Sequence, residues 1–357
     1  MRGRGGRLIQ SGGSNWIVEA RIRTLAWHRF VWLVALGGLV SACAPISPGP
    51  AMPPAPTPPA SNPPAPTPTT PARPPAIGNA PLGAASYADR PDDVPGEYQF
   101  HVLYVMHKAY ERGNRDLDGS IVETVRLMND WFTAQSGGRR LRFDTYQGEL
   151  DITRLILPGS DQGLRNYMGT KYGAQDAEFG GMIFLRNGLE DWINDVDRTQ
   201  HLLQPGKLYV AFYETSHAYV CADGPPPGSR VVGLYPGAVS LRDDSQCAAW
   251  LGRTLDGERG VWEQILAHEL IHALGFPGDC ASHPTDGGTH IDDPATLNDI
   301  MGVRQGPYSE EPVLDPNHDD YFATSFACPD LSESPFLDPL PDRPRLPRDV
   351  LAGWRLR

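Results

Sequence analysis

Residues 260–276 read GVWEQILAHELIHALGF and say more about this chain than any other stretch. Val261, Ile265, Leu266, Ile271 and Leu274 recur at helical spacing, which predicts a helix over Gly260 to Leu274. Gly275 can take the left-handed conformation that ends it, and Pro277 forbids continuation. Inside this helix stands His268-Glu269-Leu270-Ile271-His272. Residues four apart lie on one face, one turn above each other, so both imidazoles can reach one metal ion. Glu269 lies about 100° round the helix from His268, beside that ion, where it can take a proton from water.

Two histidines leave a catalytic zinc one protein ligand short. The stretch after Gly275 reads FPGDCASHPTDGGTHIDDPATLNDIMG and offers Asp279, His283 and His290. The pattern HExxHxxG, followed by Asn298-Asp299-Ile300-Met301-Gly302, resembles the metzincin clan of zinc peptidases. The resemblance implies a single metzincin-like α/β domain that hydrolyses peptide bonds. In it His268 and His272 bind Zn2+, Glu269 is the general base, Gly275 turns the chain back, and Met301 sits in a turn beneath the metal. The clan's third ligand follows the glycine by three residues, and here Gly278 stands in that place, with Asp279 one residue late. The segment is also similar to a group of bacterial exported metalloproteases, in which a longer loop with two histidines separates the glycine from a D-x-M turn. On that likeness the third ligand is His283, with His290 as the alternative and Asp279 behind both. The likeness takes in Leu314-Asp315, Asp319-Asp320-Tyr321 and Cys328-Pro329-Asp330-Leu331, and is weak before residue 260. It also implies Tyr308, after the methionine turn, as a donor to the developing oxyanion.

Upstream, EYQFHVLYVM (Glu97 to Met106) places Phe100, Val102, Tyr104 and Met106 on one face of a buried strand. SIVETVRLMNDWFT (Ser120 to Thr133) has helical spacing, with Ser120 and Glu123 as a capping box. Leu141 to Tyr146 and Lys207 to Tyr213 read as further strands, and everything after the late helix reads as loop. Strand, helix, strand, strand and late helix indicate one α/β or α+β domain over 96–340, with a tail at 341–357.

The N-terminal end carries an apolar run, Phe30 to Val40, behind several arginines. It is too short to span a bilayer but suits a signal peptide over 1–42. Leu39-Val40-Ser41-Ala42-Cys43 resembles a bacterial lipobox, which implies lipidation of Cys43 and tethering to the cell envelope. Residues 43–95 then form a spacer, with 16 of the 36 prolines between 44 and 81. Four further cysteines make an even set that export would oxidise. Cys221 with Cys247 and Cys280 with Cys328 each close a local loop.

A net charge of −12 disfavours a nucleic-acid groove. The expected partners are a protein or peptide substrate and, through the lipid, a membrane; the expected state is a monomer. Asp292, Asp293, Asp315, Asp319 and Asp320 could hold Ca2+, although no EF-hand spacing is present. The competing reading is a non-catalytic lipoprotein for binding or adhesion, with a degenerate or structural zinc site. Metal content separates the two.

Overall fold

The computed structural model describes residues 85–346 except 109–112, 173–180, 201, 216, 219, 226–228, 241–246, 248–260, 297, 304–311 and 326–327. The signal segment, Cys43, most of the proline-rich spacer, Tyr308 and most of the C-terminal tail lie outside the described residues. By internal contacts the chain divides between Ala72 and Arg73, and every described residue belongs to the second unit.

The class is α/β. Strand β1 (Gln99–His107) leads through helix α1 (Ser120–Gln135) to strand β2 (Ile152–Leu157). Helices α2 (Asp161–Tyr172) and α3 (Gly181–Gln200) follow, then strands β3 (Lys207–Tyr213), β4 (Ala222–Asp223) and β5 (Val231–Leu234). Helix α4 (Val261–Ala273) carries the histidine motif. The central sheet has the order β2-β1-β3-β5-β4. Its first four strands are parallel, and β4 closes one edge antiparallel to β5, with Ala222 opposite Leu234 and Asp223 opposite Gly233.

Alternation predicts one buried face for β1, but all nine of its residues are buried. A central strand with parallel neighbours on both edges is covered on both faces, so its apolar signal runs nearly continuous. His101 is one of its buried polar residues, and its ring nitrogens are 2.7 Å from Asp144 and 2.9 Å from Thr153.

The start of α1 differs from the capping box expected. Gly119, at φ 85°, occupies the cap position, and Asp118 accepts the N–H of Ser120. The strand expected over Leu141 to Tyr146 breaks into two-residue pieces, Arg140–Leu141 and Thr145–Tyr146. The first of these pairs with Leu337–Asp338, so the last part of the chain closes against the exit of α1. Helices α2 and α3 were not among the expected elements, although Leu189, Trp192, Ile193 and Val196 repeat at helical spacing.

A buried charge cluster anchors the sheet at the start of β3. Lys207 Nζ is 2.9 Å from Asp89 and 2.7 Å from both Asp92 and Asp144. Burial alone lowers the lysine pKa, but hydrogen bonds to these carboxylates prevail and hold it above its ordinary value. Asp89 and Asp92 precede Gly96, and Ser86 bridges to Thr153, so residues upstream of Gly96 are tied into the sheet.

Candidate metal centre

Helix α4 is apolar around most of its circumference. Trp262, Leu266, Ala267, Leu270, Ile271 and Leu274 are buried. That leaves one face for His268, Glu269 and His272, all half-buried. The helix ends in a Schellman motif. Gly275, at φ 84°, donates its N–H to His272 O at 2.9 Å, and Phe276 donates to Ile271 O at 3.2 Å.

This end also orients the imidazoles. His268 Nδ1 is 2.7 Å from the carbonyl of Ile300. A carbonyl only accepts, so Nδ1 carries the proton and Nε2 keeps a free lone pair. A ring N–H of His272 donates to the Phe276 carbonyl. The two Nε2 atoms lie 3.0 Å apart. Two lone pairs facing each other at that distance are unfavourable unless a proton or a cation lies between them. Backbone carbonyls that hold the remote nitrogen are the usual support of a metal-binding imidazole.

The third histidine brought to this pair is His290. Its ring centroid is 5.4 Å from that of His268 and 4.9 Å from that of His272. One nitrogen from each of the three rings lies within 4.8 Å of the others, a group able to hold a metal ion. The hairpin accounts for the choice. Pro284–Thr285 pairs antiparallel with His290–Ile291, and Gly278 donates to Gly288 O at 2.7 Å where the loop closes. Ile291 is buried and its backbone is bonded to Met301 and Val303, so strand alternation turns the neighbouring His290 the opposite way. His290 Nδ1 faces Asp286 at 3.5 Å and Thr289 Oγ1 at 3.2 Å.

His283, expected ahead of His290 as third ligand, lies apart from the histidine group. It sits at the open end of the hairpin, where its Nδ1 lies 3.2 Å from Asp320, in a separate group with Asp319 and Asp320. Asp279 is exposed, lies against Gly288 and is not in the histidine group. Met301 is fully buried and its carbonyl accepts from Ile291.

The electrostatics suit a cation. Burial lowers the pKa of His268 to about 4, and it lowers His272 too, helped by its histidine neighbours. Both rings are therefore neutral near pH 7 and able to donate lone pairs. Burial, then the Asp223 carboxylate, pushes Glu269 well above the usual carboxyl range, while the Gly224 N–H works the other way. A dication held by the histidines would oppose that rise. Asp223 itself is pushed up to about 7, mainly by burial, with Arg186 opposing.

Asp223 and Gly224 had no motif to announce them. They come from the end of edge strand β4, far upstream of the helix. Gly224 packs so tightly that a Cβ there would fall 2.7 Å from Glu269 Oε2 and 2.8 Å from His272 Cβ. Among the described residues, Asp223 Oδ2 and Tyr235 Oη have no hydrogen-bond partner.

Both cysteine pairs are joined as expected, Cys221 with Cys247 and Cys280 with Cys328. The first ties the start of β4 to the segment before α4, where Trp262 Nε1 donates to Cys247 O at 2.7 Å. The second binds the hairpin loop to the C-terminal part. Two disulfides indicate a non-reducing compartment. Among the described residues no helix is long and apolar enough to cross a membrane. Comparison with protein families, curated proteins and solved structures returned no match.

Proposed function

We propose that this protein is a zinc-dependent endopeptidase of metzincin-like design, exported and held at the cell envelope by a lipid on Cys43. The observation that carries the reading is the convergence of His268, His272 and His290 beside Glu269. Among the described residues the group has three imidazoles and no fourth protein ligand, which is the donor set of a catalytic zinc, whereas a structural site is closed by four. A bound zinc supplies Lewis-acid polarisation of the scissile carbonyl and acidification of water.

The chain's own residues do the rest. Glu269 accepts a proton from the attacking water and delivers it to the departing amine. The Gly224 N–H, donated to the Glu269 carboxylate, holds it in place for both transfers. The backbone of β4, at the sheet edge beside α4, is placed to pair with an extended peptide.

Metal content by mass spectrometry of wild type, His290→Ala and His283→Ala tests this. One zinc per chain in wild type and His283→Ala, and loss in His290→Ala, is expected. Glu269→Gln should keep the metal and lower peptide cleavage by about 10²–10⁴-fold. A correctly oxidised wild type that holds no zinc refutes the peptidase and leaves a tethered binding domain.

A further inference from the structure

Behind the turn that holds His268 lies a second cluster of a different chemistry. Asp299, Asp315 and Asp320 are 4%, 0% and 2% exposed, and each offers an oxygen within 4.8 Å of the other two. Among the described residues none of the three pairs with a lysine or arginine; His283, at Asp320, is the one basic partner. Asp315 is well supplied, since the backbone N–H groups of Asp319, Asp320, Tyr321 and Phe322 all point at its carboxylate. Asp299 is not. Its Oδ1 accepts from Met301 N at 2.7 Å and Tyr321 Oη at 2.8 Å, while its Oδ2 is buried without a partner among the described residues.

A proton on Asp299 would remove one negative charge but would leave the carboxylates of Asp315 and Asp320 buried beside each other. A cation resolves both problems, supplying Oδ2 with a partner and offsetting the repulsion of three carboxylates. The donors are all hard oxygens, with neither nitrogen nor sulfur among them, which selects calcium over zinc.

We infer that Asp299, Asp315 and Asp320 form a calcium site, separate from the histidine centre, in which Asp299 Oδ2 is a direct ligand. The three carboxylates supply part of the six to eight oxygens calcium takes, and water the remainder. The location gives the ion a purpose. The turn that begins at Asp299 presents the Ile300 carbonyl to His268 and bonds through Met301 and Val303 to the strand bearing His290. An ion on Asp299 braces the element that orients two of the three imidazoles.

The test uses the full oxidised chain, treated with EDTA and dialysed. Terbium is added first and excited through tyrosine, since the Tyr321 hydroxyl touches Asp299, and calcium is then titrated against it. Sensitised emission that calcium displaces at one equivalent, and a rise in melting temperature with calcium, are expected. Asp299→Asn and Asp320→Asn should each bind calcium roughly tenfold or more weakly, because ligand charge count sets affinity. Circular dichroism establishes that each variant is folded. Wild type alone can overturn the inference: no binding up to about 10 mM calcium, tenfold above the weakest extracellular modules, would mean that a buried water serves Oδ2. Unchanged affinity in both folded variants overturns it equally.

Discussion

Gly224→Ala puts the smallest possible side chain into a tight contact beside the histidine group. The new methyl would sit 2.8 Å from His272 Cβ and 2.7 Å from Glu269 Oε2. Carbon atoms rest at about 3.5–4.0 Å, so the approach to His272 is roughly 0.7 Å too close. The Glu269 carboxylate can swing aside. His272 Cβ cannot, because it is fixed to a helix whose opposite face is buried. Either β4 or α4 must shift. Overpacking of this kind costs about 1–3 kcal/mol, and restricting the unfolded chain returns about 0.4–1 kcal/mol. A net loss of about 1–2 kcal/mol lowers the melting temperature by roughly 2–8 °C in a domain of this size. A displacement approaching 1 Å at a reacting group also costs about 10²-fold in rate. Thermal melts followed by circular dichroism, with and without a chelator, read the first effect, and peptide turnover reads the second. A variant that melts at or above wild type and keeps its metal and turnover would show that the edge strand does not press on the helix, and the account of Glu269 positioning would fail.

Lys207→Met strands Asp89, Asp92 and Asp144 without their shared cation and should cost about 3–5 kcal/mol at pH 7 in denaturant unfolding. Protonation in acid removes the stranded charges, so the deficit should shrink as pH falls; a deficit independent of pH argues against the charge account. The metal-free protein should lose stability as pH falls from 6.5 toward about 4, because His268 and His272 protonate more readily unfolded than folded. Melting temperature against pH in chelator reads this, and a flat profile there contradicts neutral, inward-facing imidazoles. Cys280→Ser with Cys328→Ser opens a loop of 48 residues and should cost about 2–5 kcal/mol. Because that loop carries His290, the same variant should also release metal more readily to a competing chelator; unaltered retention would mean that the hairpin holds itself.

Local chemistry made part of this protein legible from its residues alone. The periodicity of 261–274, the glycine after it and the four-residue histidine spacing determine a helix with two imidazoles on one face, and the helix stands with its Schellman end at Gly275. The same holds for β1, α1 and β3, whose apolar patterns extend over seven residues or more. Where a pattern was short, as at Leu141 to Tyr146, nothing local distinguished a strand from a bent connection.

The third histidine was a tertiary decision. In the sequence His283 and His290 both read as loop residues beside the motif, and their side chains differ in no way that spacing can weigh. The hairpin register, the burial of Ile291 and the capture of His283 by Asp320 separate them, and each depends on segments distant in the chain. Asp223 and Gly224 reach Glu269 only because β4 closes the sheet edge beside α4, and Asp299 meets Asp315 and Asp320 only because the C-terminal turns fold back beneath the methionine turn. Periodicity and capping act over a few residues and leave a trace in the sequence. The meeting of side chains far apart in the chain is set by the packing of whole elements, which leaves no such local trace.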